Sequence, residues 1–280
     1  MQDRVQAIED EYDRRLGELV EWRMAKLASA RGGERETFAV GTNQFHIEYG
    51  MSACTAAATA AALYVLMYIA PEEGVVSRDV VPNLPWDTIV ETGARLWLEY
   101  AGSDAGGANP SGHVDFDQLL GCGGKFCATV KRALETVLEI AGHTDDAVVA
   151  AMDPDALPKT LAETVAGLPQ RSAGIITATS IDVHGDGHGI GATAAADARA
   201  PPDNNNEDGD TGVGVTLAVM RLHGESAEYW IYDSHGGVDT ETAALLCRCT
   251  TAETAAEVLR ELLPTGLFCA TIVKRRRARS

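Results

Sequence analysis

The sequence predicts an α+β fold, in which a helical first part packs on a mostly antiparallel sheet. Apolar residues recur at helical spacing through the first two thirds of the chain, whereas the last third carries β-branched and aromatic runs bounded by turn residues. Helices followed by a group of strands are typical of this class. No internal repeat is visible, and 280 residues with 45% hydrophobic content suffice for a domain with a buried core.

An amphipathic helix is predicted at the start of the chain. Apolar residues follow one another at steps of three and four between residues 3 and 30, and the pattern ends at Arg31-Gly32-Gly33. We therefore expect residues 1–32 to form a helical extension, ahead of a domain that spans residues 33–273. The apolar positions are Val5, Ile8, Tyr12, Leu16, Leu19 and Trp22.

A buried helix is predicted next. An extended segment, Thr37–Ile47, leads into a helix from about Ser52 to Ile69, with Ser52 as its N-cap and Pro71 as its stop. The stretch from Met51 to Pro71 has no charged residue and is rich in Ala and Thr. This composition favours a core helix over a membrane span.

Further helices are predicted in the middle third and strands in the last third. Residues 182–212 contain PPDNNNEDGDTG and little to bury, which predicts a mobile insertion. The chain closes with KRRRAR, so residues 274–280 are expected to form a basic tail, either a nuclear address or a solubilising segment. The helices are Pro85–Tyr100, Phe116–Ala141 and Leu157–Leu168, and the strands are Gly174–Ser180, Val213–Leu222, Glu228–Asp233 and Leu267–Val273.

Charge and cysteine content narrow the classes of function. With 41 acidic against 23 basic residues, the formal charge is −18, which argues against nucleic-acid binding because phosphate neutralisation requires a basic surface. An acidic face suits a basic partner or serves solubility alone. The first thirty residues are charged throughout and lack the apolar core of a signal peptide. We therefore expect a cytoplasmic or nuclear monomer, with no membrane partner and with its six cysteines as free thiols.

Cys54 is the first candidate for chemistry. It lies in the first turn of the predicted Ala-rich helix, where unpaired amide groups favour a thiolate and lower the pKa of a cysteine. Small neighbours, including Ser52 and Ala56, would let a substrate backbone approach closely. The alternative is a small buried hydrophobic residue, which is the commonest state of a free cysteine.

Asp233 and His235 form the second candidate. The segment EYWIYDSHGG reads as a strand that ends in Asp233-Ser234-His235, and residues two apart on a strand point to the same face. The Asp233 carboxylate could then hold one imidazole nitrogen while the other faces a nucleophile, as in a catalytic triad. The alternative is an aspartate that caps a Gly-rich turn beside an exposed histidine.

Together these segments resemble the viral tegument-like deubiquitinases, the papain-like family of the herpesvirus large tegument protein's N-terminal protease domain. In that family an Asn-Gln-like element precedes the nucleophile, the cysteine opens a buried helix, and an Asp-x-His-Gly strand supplies the base. Residues 244–273 are similar to the family's closing strand, helix and strand. The cysteine region departs from the glutamine-cysteine pair common in the herpesvirus members. The matching segments are Asn43-Gln44, Cys54 and Asp233-Ser234-His235-Gly236.

The resemblance implies a papain-like architecture and a cysteine protease that cleaves after the C-terminal glycine of ubiquitin or polyubiquitin. Cys54 would be the nucleophile and His235 the base oriented by Asp233. Gln44 would donate to the oxyanion together with the Cys54 amide, with Asn43 as the second candidate. Gly236 and Gly237 would leave room for a slender substrate tail. Two rivals stay open: a protease or acyltransferase for another ubiquitin-like modifier, and an inactive ubiquitin-binding module.

Cofactors and metals are not expected. His184 and His188 lie in an Asp/Gly-rich segment that reads as a solvated loop rather than a metal site. The spacing of Cys122, Cys127, Cys247 and Cys249 matches no standard zinc motif.

Overall fold

A computed structural model of the chain describes residues 35–47, 53–69, 79–103, 114, 116–145, 156–180, 214–223, 227–236, 243–263 and 266–276. The predicted N-terminal helix, the insertion at 182–212 and the end of the basic tail lie outside these residues, as do Ser52, Pro71 and Gly237.

The described strands form one sheet of seven, in the order β1-β6-β5-β4-β3-β7-β2, and all neighbours are antiparallel. Side chains alternate between the two faces of each strand, and both faces are covered with apolar residues. The strands are β1 (Arg35–Val40), β2 (Leu138–Asp145), β3 (Ser172–Ser180), β4 (Gly214–His223), β5 (Ala227–Asp233), β6 (Ala244–Cys249) and β7 (Gly266–Arg275).

Helices cover the sheet on both faces, so the predicted α+β class with an antiparallel sheet is confirmed. α1 and α2 pack on one face, and α5 and α6 pack on the other. Short 3₁₀ and π segments, Gln44–His46 and Val65–Ile69, precede and extend α1. The α-helices are α1 (Cys54–Tyr64), α2 (Trp86–Ala101), α3 (Phe116–Leu120), α4 (Lys125–Thr136), α5 (Ala156–Ala166) and α6 (Ala252–Leu262).

α1 lies between the sheet and α2, and its small residues allow close packing on both sides. A Cβ built on Gly93 of α2 would lie 2.5 Å from the Cα of Ala57, so the two helices are in backbone contact. Trp86, at the start of α2, stacks on Tyr232 near the end of β5 with ring centroids 4.8 Å apart. None of the helices in the described ranges is long and apolar enough to cross a membrane.

Three element predictions need correction. The helix predicted over Phe116–Ala141 is two helices and the start of a strand, because Gly121-Cys122-Gly123-Gly124 interrupts it and residues from Leu138 onward pair with β7. The extended segment Thr37–Ile47 is β1 followed by a 3₁₀ turn. β7 continues through Arg275, so the first two residues of the expected basic tail belong to the sheet.

Candidate active site

Cys54 is the first residue of α1, and its side chain is almost completely buried, with 7% of the residue exposed. Ala53 occupies the N-cap position rather than the predicted Ser52, and no side chain caps the helix there. The unpaired amide groups of the first helical turn give this end of α1 a partial positive charge, which favours a thiolate.

Asp233 and His235 are held together by a tight turn. Oδ1 of Asp233 accepts the backbone N–H of His235 at 3.0 Å and lies 2.6 Å from its Nδ1. Asp233 and His235 were predicted to share one face of a strand, and this is wrong. β5 ends at Asp233, and Ser234 and His235 lie in the turn that follows. The aspartate thus caps the turn, as in the alternative interpretation, but the histidine is buried rather than exposed.

Cys54 forms a hydrogen bond with His235, and because Nδ1 faces Asp233, Nε2 is the nitrogen directed at the thiol. Burial opposes ionisation and raises the pKa of Cys54. This effect is outweighed by the hydrogen bond and charge of His235 and by hydrogen bonds from the backbone and hydroxyl of Thr216. The net result is a Cys54 pKa below its ordinary value of 9.0. Cysteine, histidine and aspartate are therefore connected in that order.

Gln44 lies beside this turn and is buried. Its backbone N–H donates to the carbonyl of Ser234 at 2.8 Å, and its side-chain Oε1 accepts from the Ser234 hydroxyl at 2.6 Å. These two bonds tie the segment before α1 to the histidine turn. The side-chain bond holds the amide oxygen of Gln44 at Ser234, and the amide nitrogen is the donor group of this side chain.

Asn43 is arranged differently from Gln44. Its Oδ1 accepts the backbone N–H of Phe45 at 3.1 Å and lies 2.7 Å from Nδ1 of His46, so the side chain caps the 3₁₀ turn. Phe45 in turn packs on the ring of His235, with centroids 5.7 Å apart. The oxygen of Asn43 thus has a structural role within its own turn.

Gly236 is required by the turn itself. Its φ is +93°, and a Cβ there would lie 2.7 Å from the carbonyl oxygen of Ala243 and 3.3 Å from Nδ2 of Asn43. The place that a side chain would take at Gly236 is therefore filled by the protein's own atoms. The expected role of Gly236 and Gly237 beside a substrate tail stays a prediction.

Three neighbours of Cys54, Asp233 and His235 escaped the sequence prediction: Thr216, Ser234 and Phe45. A threonine within a strand is what β-propensity alone predicts, so Thr216 carried no signal. Ser234 and Phe45 lie inside the two segments predicted to carry the site. Their positions next to Asp233 and Gln44 in the sequence were the signal that could have identified them.

The cysteine prediction needs one correction. Cys122 and Cys127 are joined by a disulfide across the turn between α3 and α4, with Cα atoms 6.6 Å apart. The nearby Glu99 carboxylate could complete a group of metal ligands with the two sulfurs, but it accepts the amide protons at the start of α4. Cys247 and Cys249 belong to the core on the other face of the sheet, so the four cysteines are not brought together.

Comparison with known proteins yields distant similarities among solved structures. No protein family and no curated protein matches the chain. Among solved structures, the chain is similar to the ubiquitin-specific protease encoded by a murine cytomegalovirus tegument protein, solved in complex with a ubiquitin-based suicide substrate. The similarity covers 88% of each chain, with 13% sequence identity and a TM-score of 0.46.

Proposed function

We propose that this chain is a cysteine hydrolase of the deubiquitinase type, with Cys54 as its nucleophile. The observation that carries the proposal is the buried connection from Cys54 through His235 to Asp233, which lowers the pKa of the thiol. Burial alone would raise the pKa of a cysteine that only fills the core, and it raises the pKa of the Cys247 and Cys249 thiols. The choice of ubiquitin rests on the family resemblance of the Asn-Gln, Cys and Asp-x-His-Gly segments.

The geometry supports a two-step reaction. His235 takes the thiol proton, and the Cys54 sulfur attacks the carbonyl carbon of the C-terminal glycine of ubiquitin. The tetrahedral intermediate collapses to a thioester as His235 passes its proton to the departing amine. Water, deprotonated by His235, then attacks the thioester and releases the carboxylate and the thiol. Asp233 remains ionised and keeps the imidazole in the required tautomer and orientation.

Gln44 is the better candidate for the oxyanion donor. Its amide is held by Ser234 next to the histidine turn, and its nitrogen would donate to the oxyanion together with the Cys54 backbone amide. The oxygen of Asn43 is bonded to Phe45 and His46, and its nitrogen lies beside Gly236. Asn43 is the second candidate for this role.

An electrophilic ubiquitin probe tests the proposal. Ubiquitin with a C-terminal alkyne warhead should add covalently to Cys54, as located by peptide mass spectrometry, and Cys54→Ala should abolish the adduct. Cys269→Ala is the matched control, because Cys269 is half-buried on β7 and should be dispensable for labelling. Labelling at Cys269, or none on folded protein, would contradict the proposal.

The same experiment separates the rival functions. A protease for another ubiquitin-like modifier would react with that modifier's probe and spare the ubiquitin probe. An acyltransferase would pass the ubiquitin acyl group to an added amine faster than to water. An inactive binding module would retain ubiquitin on a column without forming the adduct.

A further inference from the structure

A chain of three buried threonine hydroxyls lies beneath Cys54. Thr216 of β4 lies at the centre, with its Oγ1 2.7 Å from Oγ1 of Thr55 on α1 and 3.0 Å from Oγ1 of Thr177 on β3. The Thr55 hydroxyl also donates to the carbonyl oxygen of Val114 at 2.8 Å. Thr55 and Thr216 are completely buried and Thr177 is almost completely buried. Their hydroxyls must therefore satisfy their hydrogen bonds with one another and with nearby protein atoms.

The chain has a defined direction, because each hydroxyl carries a single hydrogen. Thr55 uses its hydrogen on Val114, so the contact between Thr55 and Thr216 requires Thr216 to be the donor. Thr177 must then donate to Thr216. In this arrangement the Thr216 oxygen has its hydrogen turned towards Thr55 and away from Cys54.

The end of β5 explains why Thr216 reaches the thiol. The pairing between β4 and β5 runs from His223 and Ala227 to Ala218 and Tyr232, and β4 continues four residues beyond the last pair. Thr216 lies in this overhang, where the histidine turn has left the sheet. Its backbone N–H forms a hydrogen bond with Cys54, and its hydroxyl lies within hydrogen-bonding reach of the same sulfur.

We propose that the Thr216 hydroxyl is a hydrogen-bond switch, which turns its hydrogen from Oγ1 of Thr55 to the sulfur of Cys54 when the thiol ionises. The thiol proton passes to Nε2 of His235, which leaves a thiolate and an imidazolium held by Asp233. Thr216 keeps its own hydrogen, and Thr55 keeps its bond to Val114 and loses only one acceptor contact. Thr216 is thus a positioning residue that stabilises the nucleophile in its ionised form, beside the fixed donor of its own backbone.

The inference rests on the proposed role of Cys54 as a thiolate but needs no ubiquitin for its test. His235 is the group whose charge acts on Cys54, with Asp233 behind it, and the threonines carry no charge. The test is the rate of Cys54 alkylation by iodoacetamide against pH, with the modified peptide identified by mass spectrometry. A failure of ubiquitin cleavage with an intact alkylation profile would remove the proposed function and leave this inference standing.

Two substitutions should move the profile in opposite directions. Thr216→Val keeps the shape of the side chain but removes the hydroxyl hydrogen. The pH of half-maximal alkylation should therefore rise by about one pH unit, the size expected for one hydrogen bond to a charged group. Thr55→Val removes the competing acceptor, so Thr216 can donate to the sulfur throughout and that pH should fall. Thr216→Ser keeps the hydroxyl and should behave like the parent.

Thr59→Val is the matched control. Thr59 is buried on the same helix, and its hydroxyl makes no hydrogen bond within the described part of the chain, so its loss should leave the profile unchanged. A general loosening of the site would move Thr216→Val and Thr55→Val in the same direction, and that result would overturn the inference. An unchanged profile in folded Thr216→Val would overturn it as well. If Thr216→Val fails to fold, Thr55→Val decides the question, since a rise or no change there contradicts the switch.

Discussion

The twofold role of Asp233 allows its charge to be tested separately from its contribution to folding. Oδ1 accepts both the backbone N–H and Nδ1 of His235. Asp233→Asn keeps an oxygen for the backbone bond but removes the negative charge that stabilises the imidazolium. Asp233→Ala removes both.

The expected magnitudes follow from these contacts. A hydrogen bond to a charged group is worth about 1.5–3 kcal/mol, or about 10-fold to 150-fold in rate. An altered histidine tautomer in a triad costs up to about 10⁴-fold. Asp233→Asn should therefore lower kcat by about 10-fold to 10⁴-fold while Tm stays close to that of the parent. Asp233→Ala additionally leaves the His235 N–H buried without its acceptor, which costs about 1–3 kcal/mol and several degrees in Tm.

The assay is hydrolysis of a fluorogenic C-terminal ubiquitin amide, with Tm from differential scanning calorimetry. Ubiquitin affinity is measured on the Cys54→Ala background, where Asp233→Asn should change it little because Asp233 is completely buried. More than a tenth of parental turnover in Asp233→Asn would refute the role of its charge. An equal loss of Tm in the two variants would refute the division into two roles.

The remaining predictions concern stability. Gly93→Ala should destabilise the protein by about 1–3 kcal/mol in urea denaturation, because the new Cβ meets the backbone of Ala57 at 2.5 Å. Gly142→Ala is the control, because the nearest atom to its new Cβ is a side-chain atom 3.8 Å away. Equal losses of stability in the two variants would argue against the close packing of α1 and α2. The Cys249 pKa is raised to about 12, chiefly by burial, from 9.0, so its contribution to stability is complete below pH 9 and is lost as the pH rises towards 12. Ionisation of this thiol in the unfolded chain should lower the free energy of unfolding by about 1 kcal/mol between pH 9 and pH 10. Cys249→Ala should make this decline shallower, and an unchanged slope would contradict the pKa shift.

The local patterns predicted much of the fold. The strands with alternating bulky residues were located to within one or two residues in the cases of β4 and β5, because turn residues bound them on both sides. The Ala-rich stretch was correctly predicted as a buried helix, since its lack of charge left few other possibilities. The segments around Gln44, Cys54 and Asp233 were also selected as one site, and the structure brings them into contact.

The errors arose where pairing with distant residues decided the outcome. Leu138–Asp145 continues the apolar pattern of the preceding helix, and only its pairing with β7 makes it a strand. The contribution of Thr216 depends on where β5 ends relative to β4, which is a property of the sheet and not of either segment. The disulfide between Cys122 and Cys127 depends on the turn that interrupts the predicted helix.

The burial of α1 has a consequence for how the site responds to thermal fluctuations. Ten of its eleven residues are buried, so no small opening of the surface exposes the helix to water. Its amide protons should exchange with deuterium only on global unfolding, at the slowest rates in the molecule. The Cys54 sulfur therefore keeps its position relative to the sheet for as long as the protein is folded. The geometry of the site is lost only when the whole core unfolds.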